Sequence, residues 1–169
     1  MLAIPYEGCV WRVALVNIYD VDTYEPRESI GYLMTRVKVA ILAALDRELA
    51  ADPYLSSLGV TAAQFVVIVR LVGSGSKKSA SDLCKELSYD AGAMTRMIDR
   101  LENKGLVRRV RCVKDRRLIY LELTEAGQAA YPKMVELSVR VLNRFLHGFS
   151  RSQAQQLGEF LSRMLDNAG

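Results

Sequence analysis

The most prominent chemical feature of this chain is a group of seven basic residues between positions 104 and 117, where Asp115 is the single acid. Lysine and arginine at this spacing bind polyanions, because each one that meets a phosphate neutralises its charge and releases a counterion. The group therefore predicts a phosphate-bearing partner such as DNA. Its members are Lys104, Arg108, Arg109, Arg111, Lys114, Arg116 and Arg117.

The positive charge of the chain belongs mainly to one part of it. The net charge is +4, from 23 Lys+Arg and 19 Asp+Glu. Residues 61–128 hold 13 Lys+Arg and 8 Asp+Glu, net +5, which leaves 10 and 11, net −1, for the remainder. A basic lobe on an otherwise balanced protein favours a polyanion partner for that lobe.

The sequence gives little support to other kinds of site. Cys9, Cys84 and Cys112 are far apart and form no CxxC pair, so neither a disulfide framework nor a zinc site is expected. No Ser/His/Asp arrangement, metal cluster or phosphate-binding glycine loop is present, so we expect no enzyme, cofactor or metal. The apolar run at 9–18 contains Arg12 and is too short to span a membrane, which makes a cytoplasmic location without a membrane partner the expectation.

A helix and a hairpin must position the basic group. Met94, Ile98 and Leu101 recur at helical spacing within residues 90–104, and Gly105 can supply the left-handed residue that ends this helix. Residues 107–112 and 118–123 are predicted to form short strands around a basic turn. A helix followed by a cation-tipped hairpin is the outline of a winged helix-turn-helix, in which the helix enters the major groove of DNA and the hairpin reaches the flanking backbone or minor groove.

Helical patterns account for most of the remaining chain. A long helix is predicted at 29–51, and capping residues begin further helices at Thr61, Ser79, Thr124 and Ser150. The predicted order is α-α-α-α-β-β-α-α, a mainly α fold with a small β-hairpin. We predict a winged helix-turn-helix lobe at 61–124 and a helical dimerisation region at 29–60 and 125–169. Residues 1–28 form an extension that either packs on the dimer or has little structure.

The terminal helices carry apolar stripes that the small lobe cannot cover. Exposed stripes of this length are unfavourable on a monomer, so we predict that the two chain ends pack together and bury their remaining apolar faces against a second copy in a two-fold homodimer. An intramolecular bundle in a monomer is the alternative. The stripe of the first helix consists of Ile30, Leu33, Val37, Ile41, Leu45 and Leu49.

Two segments resemble the MarR family of bacterial transcription regulators: DLCKELSYDAGAMTRMIDRLENKGLVRR at 82–109 and KDRRLIYLELTEAG at 114–127. The helical flanks agree with the family in order and length, so the resemblance covers residues 29–167. The chain departs from many members at Cys112 and Val113, where those have an acidic residue and a proline. The positions that match the family pattern are Thr95, Arg96, Asp99, Leu101, Glu102, Gly105, Leu106, Val107, Arg109, Asp115, Arg117, Leu123, Thr124 and Gly127.

The resemblance implies a sequence-specific, homodimeric DNA-binding transcription regulator. Its partner would be double-stranded DNA carrying a pseudo-palindromic operator, and we expect a repressor that is relieved by a small aromatic ligand or by oxidation. The alternative is a winged-helix adaptor whose basic hairpin binds an acidic protein partner. A gel shift with upstream DNA separates the two.

The helix at 90–104 offers candidate base contacts on its outward face. Thr95 can contact a base edge or a thymine methyl, and Arg96 can bind guanine or hold a phosphate. Arg100 and Lys104, nearer the helix end, are expected to contact phosphate. Small residues at 91–93 let the helix approach the base edges closely. The predicted residues on this helix are Asp90, Ala91, Gly92, Thr95, Arg96, Arg100 and Lys104.

The hairpin supplies the second group of predicted DNA contacts, which are Lys114, Asp115, Arg116 and Arg117. Arg117 resembles the family's minor-groove arginine, with Asp115 positioning its guanidinium. Arg109 is expected to pair inside the lobe instead of touching DNA. Asp99 and Glu102 are expected to form ion pairs, because carboxylates repel phosphate.

Two hypotheses concern the signal that such a regulator would sense. The resemblance implies a pocket for a small phenolic or aromatic molecule near Tyr32, Arg36, Phe65 and Val69, although core and interface packing explains each of these residues equally well. Cys112 stands beside Arg111 and Lys114, where positive charge favours the thiolate, so it is a candidate oxidisable thiol. A passive strand cysteine is the alternative.

Overall fold

A computed structural model of the chain describes residues 17–72, 77–112, 115 and 118–168. The chain divides into two compact units, Met1–Arg36 and Val37–Gly169.

In the first unit, the residues before the long helix are held by local contacts. The rings of Tyr19 and Tyr24 meet edge to face with centroids 5.3 Å apart, and the Tyr19 hydroxyl accepts a hydrogen bond from the Ile30 N–H at 2.8 Å. A short 3-10 helix, Pro26–Glu28, follows. The Ser29 hydroxyl accepts from the Tyr32 N–H at 3.2 Å, as expected of the residue that caps the first helix. Residues 17–28 of the predicted extension therefore have definite local structure.

Helix α1, Ile30–Ala51, confirms the predicted long helix. Its apolar stripe has two different environments along its length. Ile30 and Leu33 near the start are 46% and 47% exposed, whereas Leu45 and Leu49 near the end are 4% and 1% exposed. One continuous periodic pattern is therefore covered by the chain only in its C-terminal half.

The second unit continues with the elements that form the lobe and the C-terminal helices. They are α2 (Pro53–Leu58), α3 (Ala62–Leu71), α4 (Ala80–Leu87), α5 (Ala91–Asn103), β1 (Val107–Arg111), β2 (Ile119–Leu123), α6 (Glu125–Phe145) and α7 (Arg151–Asp166). This order confirms the predicted mainly helical fold with a small hairpin. The short helix α2 was not predicted: the Asp52 carboxylate, just after the end of α1, accepts from the Tyr54 and Leu55 N–H groups and begins a new helical turn.

The predicted helix starts are confirmed by their hydrogen bonds. Thr61 and Gln64, Ser79 and Asp82, and Ser150 and Gln153 form capping boxes in which each side chain accepts from the partner's backbone N–H. Such a cap satisfies N–H groups that have no partner inside the helix and contributes about 1 kcal/mol. These starts are set by short patterns in the sequence, and they place α3, α4 and α7 in the expected register.

The hairpin is an antiparallel pair in which Val107 lies opposite Leu123 and Arg111 lies opposite Ile119. A third segment joins it, because the Leu121 N–H donates to the Lys78 carbonyl at 2.8 Å. This contact ties the segment that precedes α4 to the outer edge of β2.

The core of the second unit is built from the inward residues of α1, α3, α4, α5 and α6. Met94, Ile98 and Leu101 of α5 are 0–1% exposed. Gly127 in the first turns of α6 lies against the Leu106 carbonyl, where an added Cβ would come within 2.1 Å of the oxygen. Glycine is therefore required at this position for α6 to approach β1. None of the helices in the described ranges is both long and apolar enough to span a membrane.

Candidate nucleic-acid interface

Helix α5 is held by its buried face and presents a polar face to solvent. Asp90 caps it by accepting from the Ala93 N–H at 3.0 Å. Burial of Met94, Ile98 and Leu101 removes apolar surface worth about 1.5–3 kcal/mol per side chain from water, which fixes the rotation of the helix. The opposite face exposes Asp90, Ala91, Gly92, Thr95, Arg96 and Arg100. The structure thus brings six of the predicted DNA-binding residues together on one surface.

The details of this face favour close approach of a ligand. The Thr95 hydroxyl donates to the Ala91 carbonyl at 2.8 Å, which leaves its methyl group directed away from that bond. A Cβ on Gly92 would lie 3.1 Å from Asp90 Oδ1 and 3.4 Å from Arg96 Nη1, so both side chains approach the helix backbone where glycine has no side chain. Within the described residues, neither Arg96 nor Arg100 has a carboxylate within ion-pair distance. Their guanidinium groups remain available to phosphate or base edges.

Lys104 is placed differently from its neighbours on α5. Its ammonium group donates to the Gly59 carbonyl and, at 2.8 Å, to the Gln64 Oε1. Burial, and to a lesser extent the nearby Arg100 guanidinium, lowers the pKa of this ammonium. Spacing along the helix predicts an ammonium that faces phosphate, but in the structure it faces two oxygens of the same chain, because the connection before α3 passes beside the end of α5.

Arg109 pairs inside the lobe, as expected. Its guanidinium lies 2.6 Å from Asp99 Oδ1 and also binds the Glu102 carboxylate. The backbone N–H of Arg109 donates to Glu102 Oε1 at 3.2 Å. The hydrogen bond with Asp99, followed by the charge of Glu102, raises the pKa of the Arg109 side chain. The three residues join the outer side of α5 to β1 and so hold the recognition surface against the hairpin.

The base of the hairpin is closed by backbone hydrogen bonds. The Cys112 N–H donates to the Leu118 carbonyl at 2.9 Å, and the Leu118 N–H donates to the Asp115 carbonyl at 3.0 Å. Asp115 is exposed and Cys112 is half-buried. The other predicted residues of the tip, Lys114, Arg116 and Arg117, lie outside the described residues.

Cys112 has a polar neighbour that its sequence context did not indicate. This neighbour is Tyr120, whose pKa is raised by burial first, then by the charge of Cys112 and by hydrogen bonding with it. The two side chains are brought together because Cys112 follows the last residue of β1 and Tyr120 lies in the opposite strand.

Sequence reasoning missed a second basic cluster beside the hairpin. Lys77 and Arg108 lie 3.3 and 3.1 Å from the Glu122 carboxylate, and hydrogen bonds from Arg108 first and Lys77 second lower the pKa of Glu122. Lys78 pairs with Glu86. The two adjacent lysines before the Ser79 cap were the feature of the sequence that could have indicated this cluster. Because they are far from the hairpin in the sequence, the contact between Lys77 and Glu122 could not be predicted.

Comparison with known proteins identifies this arrangement. The family model described as MarR family matches residues 60–119, which run from the start of α3 to β2. The HTH-type transcriptional repressor MdtR of Bacillus subtilis (strain 168) is 31% identical over 140 residues, which cover 83% of this chain and 83% of that protein. The chain belongs to the MarR family. It is a DNA-binding transcriptional regulator, and the members it matches are regulators rather than enzymes.

Solved MarR-family structures agree with this assignment. A mutant MarR from E. coli complexed with operator DNA aligns with a TM-score of 0.67 and 30% identity over 80% of this chain and 92% of that chain. BpsR of Bordetella bronchiseptica, whose DNA binding is described as regulated by 6-hydroxynicotinic acid, aligns with a TM-score of 0.71 and 25% identity over 85% and 97%. The predicted family and the winged helix fold are both confirmed.

The residues predicted to line a ligand pocket in this MarR-family protein have distinct surroundings. In the first unit, the Arg36 guanidinium lies 5.9 Å from the ring centroid of Tyr32, which is 42% exposed. In the second unit, Phe65 is buried with its ring 6.3 Å from that of Tyr131, and Val69 is 38% exposed. Phe65 therefore has a packing role. No group of histidine, cysteine and carboxylate side chains suited to a metal ion occurs among the described residues.

Proposed function

We propose that this MarR-family regulator is a homodimeric repressor that inserts α5 into the major groove of a pseudo-palindromic operator. The observation that carries the proposal is the exposed face of α5, where small residues surround Thr95 and Arg96 and the two arginines of the face have no acidic partner among the described residues. The first turn of a helix with this surface can approach base edges closely, since residues 91–93 are all small.

The proposed contacts divide into three groups. Asp90, Ala91, Gly92, Thr95 and Arg96 face the bases, with Thr95 on a thymine methyl or base edge and Arg96 on guanine or phosphate. Arg100 holds phosphate near the end of the helix. The wing residues Lys114, Asp115, Arg116 and Arg117 reach the flanking backbone and minor groove.

The homodimer is supported by apolar surface that the single chain leaves uncovered. None of the described residues 151–166 of α7 is buried, and Phe160 and Leu165 are 56% and 73% exposed. The N-terminal half of α1 is exposed in the same way. Burial of these faces against a second copy supplies the driving force for association. In this proposal residues 29–60 and 125–169 form the dimerisation region, residues 61–124 form the DNA-binding lobe, and residues 1–28 extend it.

The signal that releases DNA is proposed to be a small aromatic molecule or an oxidant. The regulation of BpsR by 6-hydroxynicotinic acid supports a small aromatic ligand, for which the exposed Tyr32 and Arg36 offer an aromatic and cationic pair.

For release by an oxidant, the Cys112 thiol is oxidised by peroxide to a sulfenic acid with release of water. Peroxide should weaken operator binding by the wild type and leave Cys112→Ala unaffected. An equal response of both proteins excludes Cys112.

The DNA contacts are tested by footprinting the region upstream of the protein's own gene and measuring affinity for the protected site. Arg96→Ala should weaken binding. It should also reduce the free-energy difference between the preferred base and the others at one position of each half-site by about 1–3 kcal/mol. Arg117→Ala should weaken binding without this change. Arg27→Ala, which removes an exposed arginine outside the proposed lobe and dimerisation region, is the matched control. Unchanged affinity and preference in both Arg96→Ala and Arg117→Ala would show that other elements read the operator.

A further inference from the structure

The residue that closes α5 directs its side chain away from the DNA-facing surface. Lys104 follows the last residue of the helix, and its N–H donates to the Arg100 carbonyl at 3.2 Å. From there its ammonium group reaches the Gly59 carbonyl in the connection between α2 and α3, and the Gln64 Oε1 in the first turn of α3. Gly59 ends α2 with a φ of +59°, the left-handed conformation that glycine adopts most readily. The end of the recognition helix is thus tied to a segment 40 or more residues earlier in the chain.

The acceptors of Lys104 belong to a rigid part of the lobe. Gln64 is 2% exposed, and the same Oε1 accepts the Thr61 N–H at 3.1 Å as part of the capping box of α3. The next N–H, that of Ala62, donates to Asp46 Oδ1 at 2.7 Å. Asp46 lies in α1, so the point that Lys104 binds is itself held to the helix proposed to form the dimer.

This connection has a consequence for DNA recognition that depends on the proposed function. In a homodimer the two recognition helices must be separated by about one turn of DNA, roughly 34 Å, to enter successive major grooves. Their separation and tilt are set by the links between each α5 and the dimer helices. Lys104 and Asp46 provide one continuous link of hydrogen bonds from α5 through the start of α3 to α1.

We propose that Lys104 is a positioning residue for operator binding, which fixes the end of α5 to the α2–α3 connection and so sets the angle of Thr95 and Arg96 in the groove without contacting DNA itself. The ammonium is engaged by two acceptors, whereas a phosphate contact would require it to leave both. Preorganisation of this kind raises affinity because the helix does not have to be ordered when it binds.

The salt dependence of operator affinity distinguishes positioning from direct contact. Lys104→Met keeps the aliphatic stem and removes the ammonium. It should weaken binding by about tenfold, the effect expected from losing a charge-assisted hydrogen bond. The slope of log K against log salt concentration should remain that of the wild type. Arg100→Met, which removes a proposed phosphate contact, should reduce the slope by about 0.9. Arg27→Met, at an exposed position outside the proposed lobe and dimerisation region, controls for the loss of one positive charge. A reduced slope in Lys104→Met overturns the proposal, as does unchanged affinity.

A double-mutant cycle tests the route through Gln64. Gln64→Met and Lys104→Met should each weaken operator binding, and their combination should cost clearly less than the sum, because both remove the same hydrogen bond. Lys104→Arg, which retains a donor, should recover most of the affinity, and it serves as the second variant if Lys104→Met does not fold. Additive losses, or a failure of arginine to recover binding, overturn the proposal. If α5 does not read the operator, Arg96→Ala leaves base preference unchanged, and this separate result identifies a failure of the proposed function itself.

Discussion

The proposed DNA-binding lobe, residues 61–124, and the C-terminal helix α7 both have apolar stripes, but only the stripes of the lobe are buried. In the lobe, Leu83, Met94 and Ile98 are 0–1% exposed and form part of a closed core. In α7, the stripe is open, and Met164 is 42% exposed. The apolar side chains of the lobe are therefore buried within one chain. Those of α7 would be buried only by contact with another molecule, which we propose is a second copy of the chain. Four experiments test this difference between the two regions.

The largest effect is expected from opening the closed core. Ile98→Ala removes a side chain that is 1% exposed, and we expect a loss of about 2–5 kcal/mol in the free energy of unfolding, since a cavity remains. Leu118→Ala beside β2, outside the proposed dimerisation region, removes a side chain that is 44% exposed and should change stability by only about 0.5 kcal/mol. Urea denaturation measures both. Similar losses in the two variants would show that the lobe is not the closed region.

The second effect concerns the open surface of α7. Phe160→Asp places a charge in the proposed interface and should raise the dimer dissociation constant by about a hundredfold, equivalent to about 2.7 kcal/mol. Sedimentation equilibrium measures the constant. Ser162→Asp adds the same charge to an exposed residue two positions along the helix and should leave it unchanged. If the wild-type protein sediments as a monomer, the exposed apolar side chains of α7 are not explained by a homodimer interface.

The third effect tests the junction between the lobe and α6. An alanine Cβ at position 127 would lie 2.1 Å from the Leu106 carbonyl oxygen, so the backbone must move apart. We expect Gly127→Ala to reduce stability by about 1–3 kcal/mol, although alanine is the better helix former. Gly31→Ala, with no atom within 4 Å of the new Cβ, should be nearly neutral. Thermal unfolding compares them, and a stabilised Gly127→Ala protein would contradict the close packing seen here.

The smallest effect is expected from the charge of Asp82, which contributes to stability at the start of α4. Hydrogen bonds from the Ser79 backbone first, and from its side chain second, lower the pKa of Asp82. A carboxyl whose pKa is lowered by folding stabilises the folded state above its unfolded pKa, and the contribution is lost as the pH falls through the folded value. The stability difference between wild type and Asp82→Ala should therefore be constant near neutral pH and shrink in acid below the usual aspartate range. A difference that persists at low pH would show that the carboxylate charge is not responsible.

Local patterns accounted for much of the fold. The capping boxes at Thr61, Ser79 and Ser150 depend on residues three apart, so the sequence alone places the starts of these helices. The same is true of the inward face of α5, because helical spacing puts Met94 and Ile98 on one side. The sequence position of Arg109 in the strand after the helix also predicted that it pairs inside the lobe, but its partners, Asp99 and Glu102, were identified only by the structure.

Other features were decided by contacts between residues that are distant in the chain. Periodicity showed that α1 has an apolar stripe, but only packing determined that Leu45 is covered and Leu33 is not. The direction of the Lys104 ammonium depends on the path of the chain near Gly59, and the requirement for glycine at position 127 depends on the Leu106 carbonyl. Spacing along a helix specifies which residues share a face, because backbone geometry is local. What meets that face is specified only when the whole chain has folded around it.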